Sequence, residues 1–595
     1  MGHYKSNVRD LEFNLFEALD IENTLDRGGF GDLTAADVRA ALRDAAREAE
    51  GPLAEAFAYG DRNPPTFDPA THSVSLPTSF KEAVRVWQRG PWLRLGLPEA
   101  IGGIRAPATV RWAVNELLMG AQPTAFFYLN GPPLLAVLYG EGNEQQRHWA
   151  KLGMERNWAA TMVLTEPDAG SDVGSGRTKA IPQPDGTWHI DGVKRFITSG
   201  DCDDMFENIA HLVLARPVGA VPGTKGLSLF LVPKYLPDLE SAAPGARNGV
   251  FVTGVEHKMG LTASATCELT FGQHGTPAVG WLVGDVHNGI AQMFKVIEFA
   301  RMAVGAKAIA TLSTGYLNAL DYAKANSPGL GDAETRRSLI MQKAYTEGMR
   351  ALYLYTAAHQ DAAAGPGVSD ADASMARRIN DLLLPVVKGM GSERSFECLS
   401  ESLQILGVAG YLQDHPIEQY IRDAKIDSLY EGTTAIQAQD LFYRKIVRDE
   451  GRALGHLTKQ IDEFLDDPHA RPELAQGRQM LTNALADVRA MVTTMTAYYA
   501  KSPDEPQELY RVGLRSVPFL LAFGDLLVGW LLLRQAEIAL IALDGDPADG
   551  DRAFYRGKVS AAIAFAKNVL PRLAAERRIS EGIDLAVMNL REEAF

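Results

Sequence analysis

The spacing of apolar residues separates the chain into regions of different predicted structure. Over most of residues 1–158 apolar positions recur every three or four residues, as in 34–50, which predicts helices. From about 159 to 286 the chain has short runs rich in β-branched and aromatic residues, such as 227–232, separated by glycine and proline. Helical periodicity then returns and continues to the end. The pattern predicts a mainly α protein with a central β-domain.

We predict four domains from these changes in pattern. A charged segment and a proline-containing linker mark the last boundary. The domains are an N-terminal helical domain at 1–158, a central antiparallel sheet or small barrel at 159–286, a helix bundle at 287–450 and an additional C-terminal helical domain at 455–595. The order differs from the strand–helix alternation of dinucleotide-binding folds, and the chain lacks their glycine-rich motif.

One apolar stretch, 517–533, is nearly long enough to cross a membrane. A spanning helix needs about 20 apolar residues, and a mid-span aspartate costs about 2.5–3.5 kcal/mol on insertion scales. This stretch has 17 residues and contains Asp525, and Arg515 and Arg534 flank it closely. We therefore expect a buried helix of the bundle and a soluble protein without a transmembrane segment.

Composition narrows the function classes. Of 595 residues, 46% are hydrophobic and 22% charged, which is ordinary for a globular protein. The net charge of −15 disfavours nucleic-acid binding over a broad surface. Three scattered cysteines indicate neither a disulfide framework nor a metal site, and the polar N-terminus does not resemble a secretion signal. A cytoplasmic location is expected.

Two segments of the predicted β-domain carry side chains suited to ligand binding. In 162–174 an apolar run leads into a loop of hydroxyl, acidic and glycine residues, where a planar or phosphorylated ligand could approach the backbone. In 196–200 Phe196 precedes Thr198, so a ring contact and a hydrogen-bonding hydroxyl lie together. Taken alone, the first segment is more typical of a turn than of a ligand site, and the second is more typical of a core strand.

A third segment, 421–437, places Glu431 after an apolar–aromatic pair and before Gly432. A carboxylate among Leu429, Tyr430 and a ligand would lose hydration, which raises its pKa and makes it a stronger base. By itself the segment also fits a glutamate at a helix N-terminus.

Together and in this order, the segments resemble the acyl-CoA dehydrogenase family. The resemblance covers about 75–447 and includes a T-E-P-x-A-G-S-D block and an F-I-T strand. It also includes the Lys258-Met259-Gly260 turn, Gln404-Ile405-Leu406-Gly407 and an R-D-A-K-I…Y-E-G-T block. The N-terminal extension and the extra C-terminal domain are most similar to the long bacterial members.

The resemblance implies FAD as cofactor, bound between the β-domain and the bundle and completed by a second subunit, and it implies no metal. The implied FAD contacts are Met162, Val163, Leu164, Thr165, Ser171, Phe196, Thr198, Gln404, Gly407 and Thr433. The implied substrate contacts are Ser171, Arg301, Tyr430 and Gly432. Arg301 either holds Glu431 in place or forms a structural ion pair.

The resemblance also implies the reaction. Glu431 would remove the α-proton of an acyl-CoA thioester while a hydride leaves the β-carbon for flavin N5, giving a trans-2-enoyl-CoA as in fatty-acid β-oxidation. Electron-transfer flavoprotein would reoxidise the flavin. The expected assembly is a homodimer, since 455–595 would cover the surface through which shorter members form tetramers. The alternatives are a flavin oxidase or monooxygenase on the same fold, or a flavin-poor binding protein.

Two departures from the family pattern fall on the FAD diphosphate and adenosine side. Asn326 stands where most members have an arginine for the partner's cofactor. Val408 stands where the family favours glycine, and if that position needs a positive φ or close contact with FAD, valine costs about 1–3 kcal/mol. These departures predict weakened FAD binding.

Overall fold

The computed structural model describes residues 2–595, which pack as two units. One unit contains the chain up to Ser6 and Phe30–Ala300, and the other contains Asn7–Gly29 and Arg301–Phe595. Over the described residues the chain forms nineteen α-helices and twelve strands. The first nine helices are α1 Val8–Glu12, α2 Ile21–Asp26, α3 Ala35–Glu48, α4 Ala54–Arg62, α5 Thr78–Arg89, α6 Ala108–Ala121, α7 Pro123–Tyr128, α8 Gly131–Glu141 and α9 Glu144–Glu155.

The predicted helix over 34–50 is confirmed as α3, and its start has a local cause. Thr34 and Asp37 form a reciprocal capping box, in which the Thr34 hydroxyl accepts from the Asp37 N–H at 3.2 Å and the Thr34 N–H donates to the Asp37 carboxylate at 2.9 Å. The helix passes into a π-helical turn, Ala49–Leu53, that contains Pro52. Proline lacks the N–H that a helix interior requires, so the regular helix ends here.

The strands lie in the first unit. They are β1 Thr66–Asp68, β2 Ser73–Ser75, β3 Ala159–Val163, β4 Lys179–Pro182, β5 Trp188–Thr198, β6 Ile209–Pro217, β7 Ser228–Pro233, β8 Tyr235–Pro237, β9 Pro244–Arg247, β10 Val250–Val255, β11 Thr266–Phe271 and β12 Ala278–Leu282. Eight form one sheet in the order β10-β11-β5-β12-β7-β6-β3, and β4 pairs with β5 and β6.

The prediction of an antiparallel sheet needs one correction. The β3–β6 and β4–β6 pairs are parallel, whereas the other pairs of this sheet are antiparallel. The chain makes the β4–β5 hairpin between β3 and β6, so β6 returns in the same direction as β3. The side chains of β6 from Ile209 to Leu214 are buried, and the core cluster around Trp149, Trp158 and Leu229 packs against this sheet.

The remaining helices are long, and most belong to the second unit. They are α10 Gly289–Ala325, α11 Ala333–Ala364, α12 Asp370–Leu406, α13 Ile417–Lys425, α14 Thr434–Gln439, α15 Arg452–Leu465, α16 Ala475–Lys501, α17 Glu508–Asp544, α18 Asp549–Asn568 and α19 Leu573–Glu581. The apolar stretch at 517–533 lies within α17, the one helix of residues 2–595 long and apolar enough to span a membrane. However, 83% of its most apolar window is buried inside the protein.

Asp525, in the middle of α17, shows how the last helices join the bundle. Its carboxylate accepts a hydrogen bond from Arg394 of α12 at 2.6 Å and another from the Tyr345 hydroxyl of α11 at 3.2 Å. A buried carboxylate is stable only when it is paired and hydrogen-bonded. The aspartate in this apolar helix is therefore a packing contact with α11 and α12.

A buried ionic cluster ties the N-terminal segment to the second unit. Asp10 of α1 is fully buried and accepts hydrogen bonds from Arg350 of α11 at 2.5 Å and from Lys558 of α18. Burial raises the pKa of Asp10, but the two cations outweigh this effect and hold it at about 2. Lys558 also pairs with Glu347 of α11 at 3.4 Å. One carboxylate thus joins three helices, α1, α11 and α18, that are distant in the sequence.

Replacing Asp10 by asparagine should lower the free energy of unfolding by about 3–5 kcal/mol, because it removes the carboxylate between two buried cations. Asp20→Asn is the matched control: Asp20 is exposed and caps α2 by accepting from the Asn23 N–H, and asparagine caps equally well. Chemical denaturation followed by circular dichroism measures both. Equal denaturation midpoints for the two variants would contradict this assignment.

Candidate active site

The end of strand β3 presents an apolar, partly exposed edge. Met162 and Leu164 are partly buried, whereas Val163 between them is fully buried, because side chains alternate along a strand. The sequence-based expectation that all three line a ring is thus corrected for Val163, whose side chain belongs to the core. Thr165 follows and is partly exposed.

The loop after Thr165 is held by one buried carboxylate. Glu166 accepts the backbone N–H groups of Arg177 at 2.6 Å and Thr178 at 3.0 Å, and it pairs with buried Lys194 of β5 at 2.9 Å. Lys194 also donates to the Leu164 carbonyl at 2.8 Å. Burial raises the pKa of Glu166, but Lys194 and these backbone donors keep it below its usual value. Ser171 is exposed on this braced loop.

A β-bulge in β5 turns Phe196 outward. The pairing of β5 with β11 shifts register between Lys194 and Ile197, and Phe196 has a φ of 61°. Its ring is 53% exposed, and the Arg195 guanidinium lies 4.9 Å from the ring centroid. The Arg195 N–H donates to the Thr165 carbonyl at 3.0 Å, so the ends of β3 and β5 lie side by side.

In the second unit, Glu431 lies in a strained turn just before α14. Glu431 and Gly432 both have left-handed backbone, with φ of 53° and 87°. This conformation costs a non-glycine residue about 1–3 kcal/mol and is concentrated at functional sites. Gln437 donates to the Glu431 carbonyl at 2.8 Å, and Lys388 of α12 donates to the Gly432 carbonyl at 2.5 Å. A side chain at position 432 would come within 2.7 Å of Gln437.

The Glu431 carboxylate has an unusual environment. Among residues 2–595 no side chain or backbone group donates a hydrogen bond to it. Burial raises its pKa to about 7, and the positive charges of Lys388 and Arg301 act in the opposite direction. A carboxylate with this pKa is ionised in about half the molecules at neutral pH and still accepts a proton readily.

Beneath this turn lies a fully buried ion pair. Lys307 of α10 donates to both oxygens of Asp427, at 2.9 and 2.8 Å, and to the Asp423 carbonyl. The Tyr430 hydroxyl also donates to Asp427, at 3.0 Å. The hydroxyl of Tyr430, a predicted substrate contact, is therefore engaged in supporting the turn.

The sequence left open whether Arg301 holds Glu431 in place or forms a structural ion pair, and the structure shows which contact it makes. Its guanidinium donates to Asp440 at 2.6 Å, and its Nε has no partner among the described residues. The structural ion pair is therefore present, and no hydrogen bond joins Arg301 to Glu431. The charge of Arg301 nevertheless acts on the pKa of Glu431.

Models of the acyl-CoA dehydrogenase family match most of the chain. The middle-domain model matches residues 161–273, the C-terminal-domain model matches 287–444, and a model described as acetyl-CoA dehydrogenase C-terminal like matches 457–591. The chain is 57% identical, over the full length of both proteins, to a broad-specificity linear acyl-CoA dehydrogenase of Mycobacterium tuberculosis. It is 31% identical, also over both full lengths, to a butyryl-CoA dehydrogenase of Syntrophomonas wolfei.

The chain belongs to the acyl-CoA dehydrogenase family. It is an oxidoreductase that acts on CH–CH bonds of acyl-CoA thioesters, with FAD as cofactor.

Solved structures of the family share the fold. An acyl-CoA dehydrogenase of Bacillus anthracis complexed with FAD has a TM-score of 0.68 at 19% identity, with 93% of this chain and 90% of that chain covered. Butyryl-CoA dehydrogenase of Megasphaera elsdenii has a TM-score of 0.55 at 21% identity, with 69% and 98% covered. The predicted mainly α fold with a central β-domain is confirmed.

The surface at the ends of β3 and β5 fits a flavin. The hydroxyls of Thr165, Ser171 and Thr198 make no hydrogen bond to other described residues and are free for a ring edge or a phosphate. Met162, Leu164 and the exposed ring of Phe196 supply apolar area for a planar ring.

The predicted adenosine-side contacts lie in the second unit. Gln404 is exposed in the last turn of α12, and Gly407 ends this helix. The Thr433 hydroxyl caps α14 by accepting the Ile436 N–H at 3.4 Å. These three residues thus belong to a different unit from the predicted contacts of the β-domain.

The suggestion that Val408 needs a positive φ is wrong. The positive φ in this segment, 60°, falls on Gly407, and Val408 has ordinary backbone with an 83% exposed side chain. Valine therefore brings no backbone strain.

The second departure from the family pattern is Asn326 in place of an arginine. Asn326 is exposed just after α10 and donates to the Tyr322 carbonyl. Four nearby basic residues could substitute for the missing arginine: Lys324, Arg336, Arg337 and Lys343. Lys343 pairs with Glu347, Arg337 pairs with Glu334 and Arg336 donates to the Leu330 carbonyl. The exposed Lys324 forms no ion pair among the described residues.

Sequence reasoning missed the residues that support the site. Lys194 and Lys388 are both buried, and each binds a carbonyl in the segment that it supports. For Lys388 a signal was present, since a single lysine stands in the apolar run 382–391. A charge in such a run requires a partner, although the sequence does not say which one.

Replacing Gly407 by alanine should lower the free energy of unfolding by about 1–3 kcal/mol, because alanine is strained at positive φ. The added methyl group would meet no atom within 4 Å, so the cost would be in the backbone alone. Val408→Ala, at the exposed neighbour, should change it by less than about 0.5 kcal/mol. Thermal and urea unfolding of the two variants compare these values, and equal stability would refute the assignment of strain to Gly407.

Proposed function

We propose that Glu431 is the base that removes the α-proton of the acyl-CoA thioester. The observation that supports this most is a carboxylate without a hydrogen-bond partner, its pKa raised to about 7, held on a strained turn by Lys388 and Gln437. General-base catalysis is most efficient when the pKa of the base lies near the working pH.

The backbone N–H of Glu431 serves the same step. Among residues 2–595 this N–H donates to no acceptor. A free N–H beside the base is suited to bind the thioester carbonyl oxygen and stabilise the negative charge that develops as the α-proton leaves. Bound FAD supplies the acceptor for the hydride of the β-carbon.

We propose linear acyl chains over a range of lengths as substrates, because the full-length relative at 57% identity is a broad-specificity linear acyl-CoA dehydrogenase. Membership of this family supports a role in fatty-acid degradation and electron-transfer flavoprotein as electron acceptor. A cytoplasmic location is supported by three free, buried cysteines and by the buried state of α17.

We propose a homodimer whose contact includes the segment after α12. Val408 and Tyr411 are 83% and 81% exposed, and Leu412 is half exposed beside them. Such a contiguous apolar patch is typical of an interaction surface. The predicted cofactor contacts Gln404, in the last turn of α12, and Gly407, which ends that helix, adjoin this segment, which fits a cofactor site completed by a second copy. Light scattering should give twice the chain mass of 64.7 kDa.

Glu431→Gln should reduce turnover with a saturating acyl-CoA by at least about 10³-fold, since glutamine cannot accept the α-proton. FAD content and melting temperature should stay close to those of the wild type. Glu450→Gln is the matched control, because Glu450 is exposed and also has a positive φ, 56°. Near-normal turnover of the Glu431 variant would exclude it as the base.

The electron acceptor can be tested separately. After anaerobic reduction by acyl-CoA, the flavin should be reoxidised much faster by electron-transfer flavoprotein than by air-saturated buffer, measured by stopped-flow absorbance. Faster reoxidation by oxygen would identify an oxidase that uses the same base.

A further inference from the structure

Lys388 is a buried lysine with a single hydrogen-bond partner. It lies on α12, and its ammonium group donates to the Gly432 carbonyl at 2.5 Å. No other acceptor among residues 2–595 binds this group, although an ammonium can donate three hydrogen bonds. Burying a cation with so few partners is costly, so the site must provide compensating charge.

The charged groups around the Glu431 turn come from three elements. Asp427 and Glu431 lie in the segment before α14, Glu393 lies on α12, and Arg301 lies on α10. The three carboxylates raise the pKa of Lys388, and Arg301 lowers it.

Most of these groups already have partners. Asp427 is paired with Lys307, Arg301 is paired with Asp440, and Glu393 accepts a hydrogen bond from the Thr434 hydroxyl at 2.5 Å. Among the described residues Glu431 and Lys388 form no ion pair with any residue, and Glu431 has no hydrogen bond to its carboxylate either. The charge of Lys388 is therefore the least compensated cation that acts on Glu431.

We propose that Lys388 is a positioning residue for Glu431. Its hydrogen bond to Gly432 holds the left-handed turn, and its positive charge favours the ionised form of the Glu431 carboxylate. This inference rests on the proposed role of Glu431 as base.

The titration of the two groups agrees with this role. Burial lowers the pKa of Lys388 to about 8, so the cation is present at neutral pH, where Glu431 with a pKa of about 7 must lose its proton. Without the cation, burial alone would raise the pKa of Glu431 further. Loss of Lys388 should therefore reduce activity at neutral pH and restore it in part at higher pH.

Three substitutions separate the charge from the hydrogen bond. Lys388→Met removes both, Lys388→Gln keeps a donor without charge, and Lys388→Arg keeps the charge. The acid limb of the kcat/KM profile should move up by about one pH unit in the Met and Gln variants, as expected for loss of a nearby opposite charge. It should return towards the wild-type position in the Arg variant. Lys459→Met, at an exposed lysine of α15, should leave the profile unchanged.

An acid limb that stays in place in both the Met and Gln variants, with only kcat reduced, would overturn the proposal and leave Lys388 a structural residue. If the Met variant does not fold, the comparison of Gln with Arg decides.

A second readout does not depend on turnover. The infrared band of the protonated Glu431 carboxyl group can be followed against pH, with Glu431→Gln as the reference that lacks it. The midpoint should rise in Lys388→Gln, and an unchanged midpoint would overturn the proposal. If wild-type protein has no acid limb and Glu431→Gln is active, the assignment of the base itself fails, which is a different result.

Discussion

Glu431 carries a carboxylate in a partly buried turn, to which no group of residues 2–595 donates a hydrogen bond, and the proposed chemistry depends on this state. A buried, unpaired carboxylate is costly, and here the cost is held within limits by nearby cations that do not touch it. A direct ion pair would lower its pKa and weaken it as a base. A site without cations would leave it protonated.

The other buried charges of the second unit show the opposite arrangement. Asp10, Asp427 and Asp525 each have a basic partner within hydrogen-bonding distance, and each joins elements that are distant in the sequence. Of these pairs, Lys307–Asp427 lies at the turn in which Glu431 and Gly432 have left-handed backbone. Such strained backbone persists only where the surrounding contacts hold it.

In the first unit a buried ion pair likewise fixes the backbone of the surface proposed to bind the cofactor. The Glu166–Lys194 pair is buried, and the side chains that it leaves exposed are hydroxyls and apolar groups without partners of their own. A fixed backbone with free hydroxyls suits a cofactor that needs hydrogen bonds at a ring edge and close contact over a ring face. The β-bulge at Phe196 is part of this surface, since it turns an aromatic ring outward next to the buried side chains of Lys194 and Ile197.

The sequence by itself determined the fold class and the family, and it singled out Glu431 as the proposed base, because periodicity, glycine-containing motifs and their order along the chain are local properties. It also indicated that 517–533 is a core helix, since the polar residue inside it had to find a partner. Only the tertiary structure decided which partners the charges take: Asp440 for Arg301, Asp427 for the Tyr430 hydroxyl, and Gly432 for Lys388. It also showed that the left-handed backbone lies at Gly407 and not at Val408, and that the side chain of Val163 lies in the core. Backbone angles and ion pairs depend on elements that are far apart in the sequence, so no local pattern could specify them.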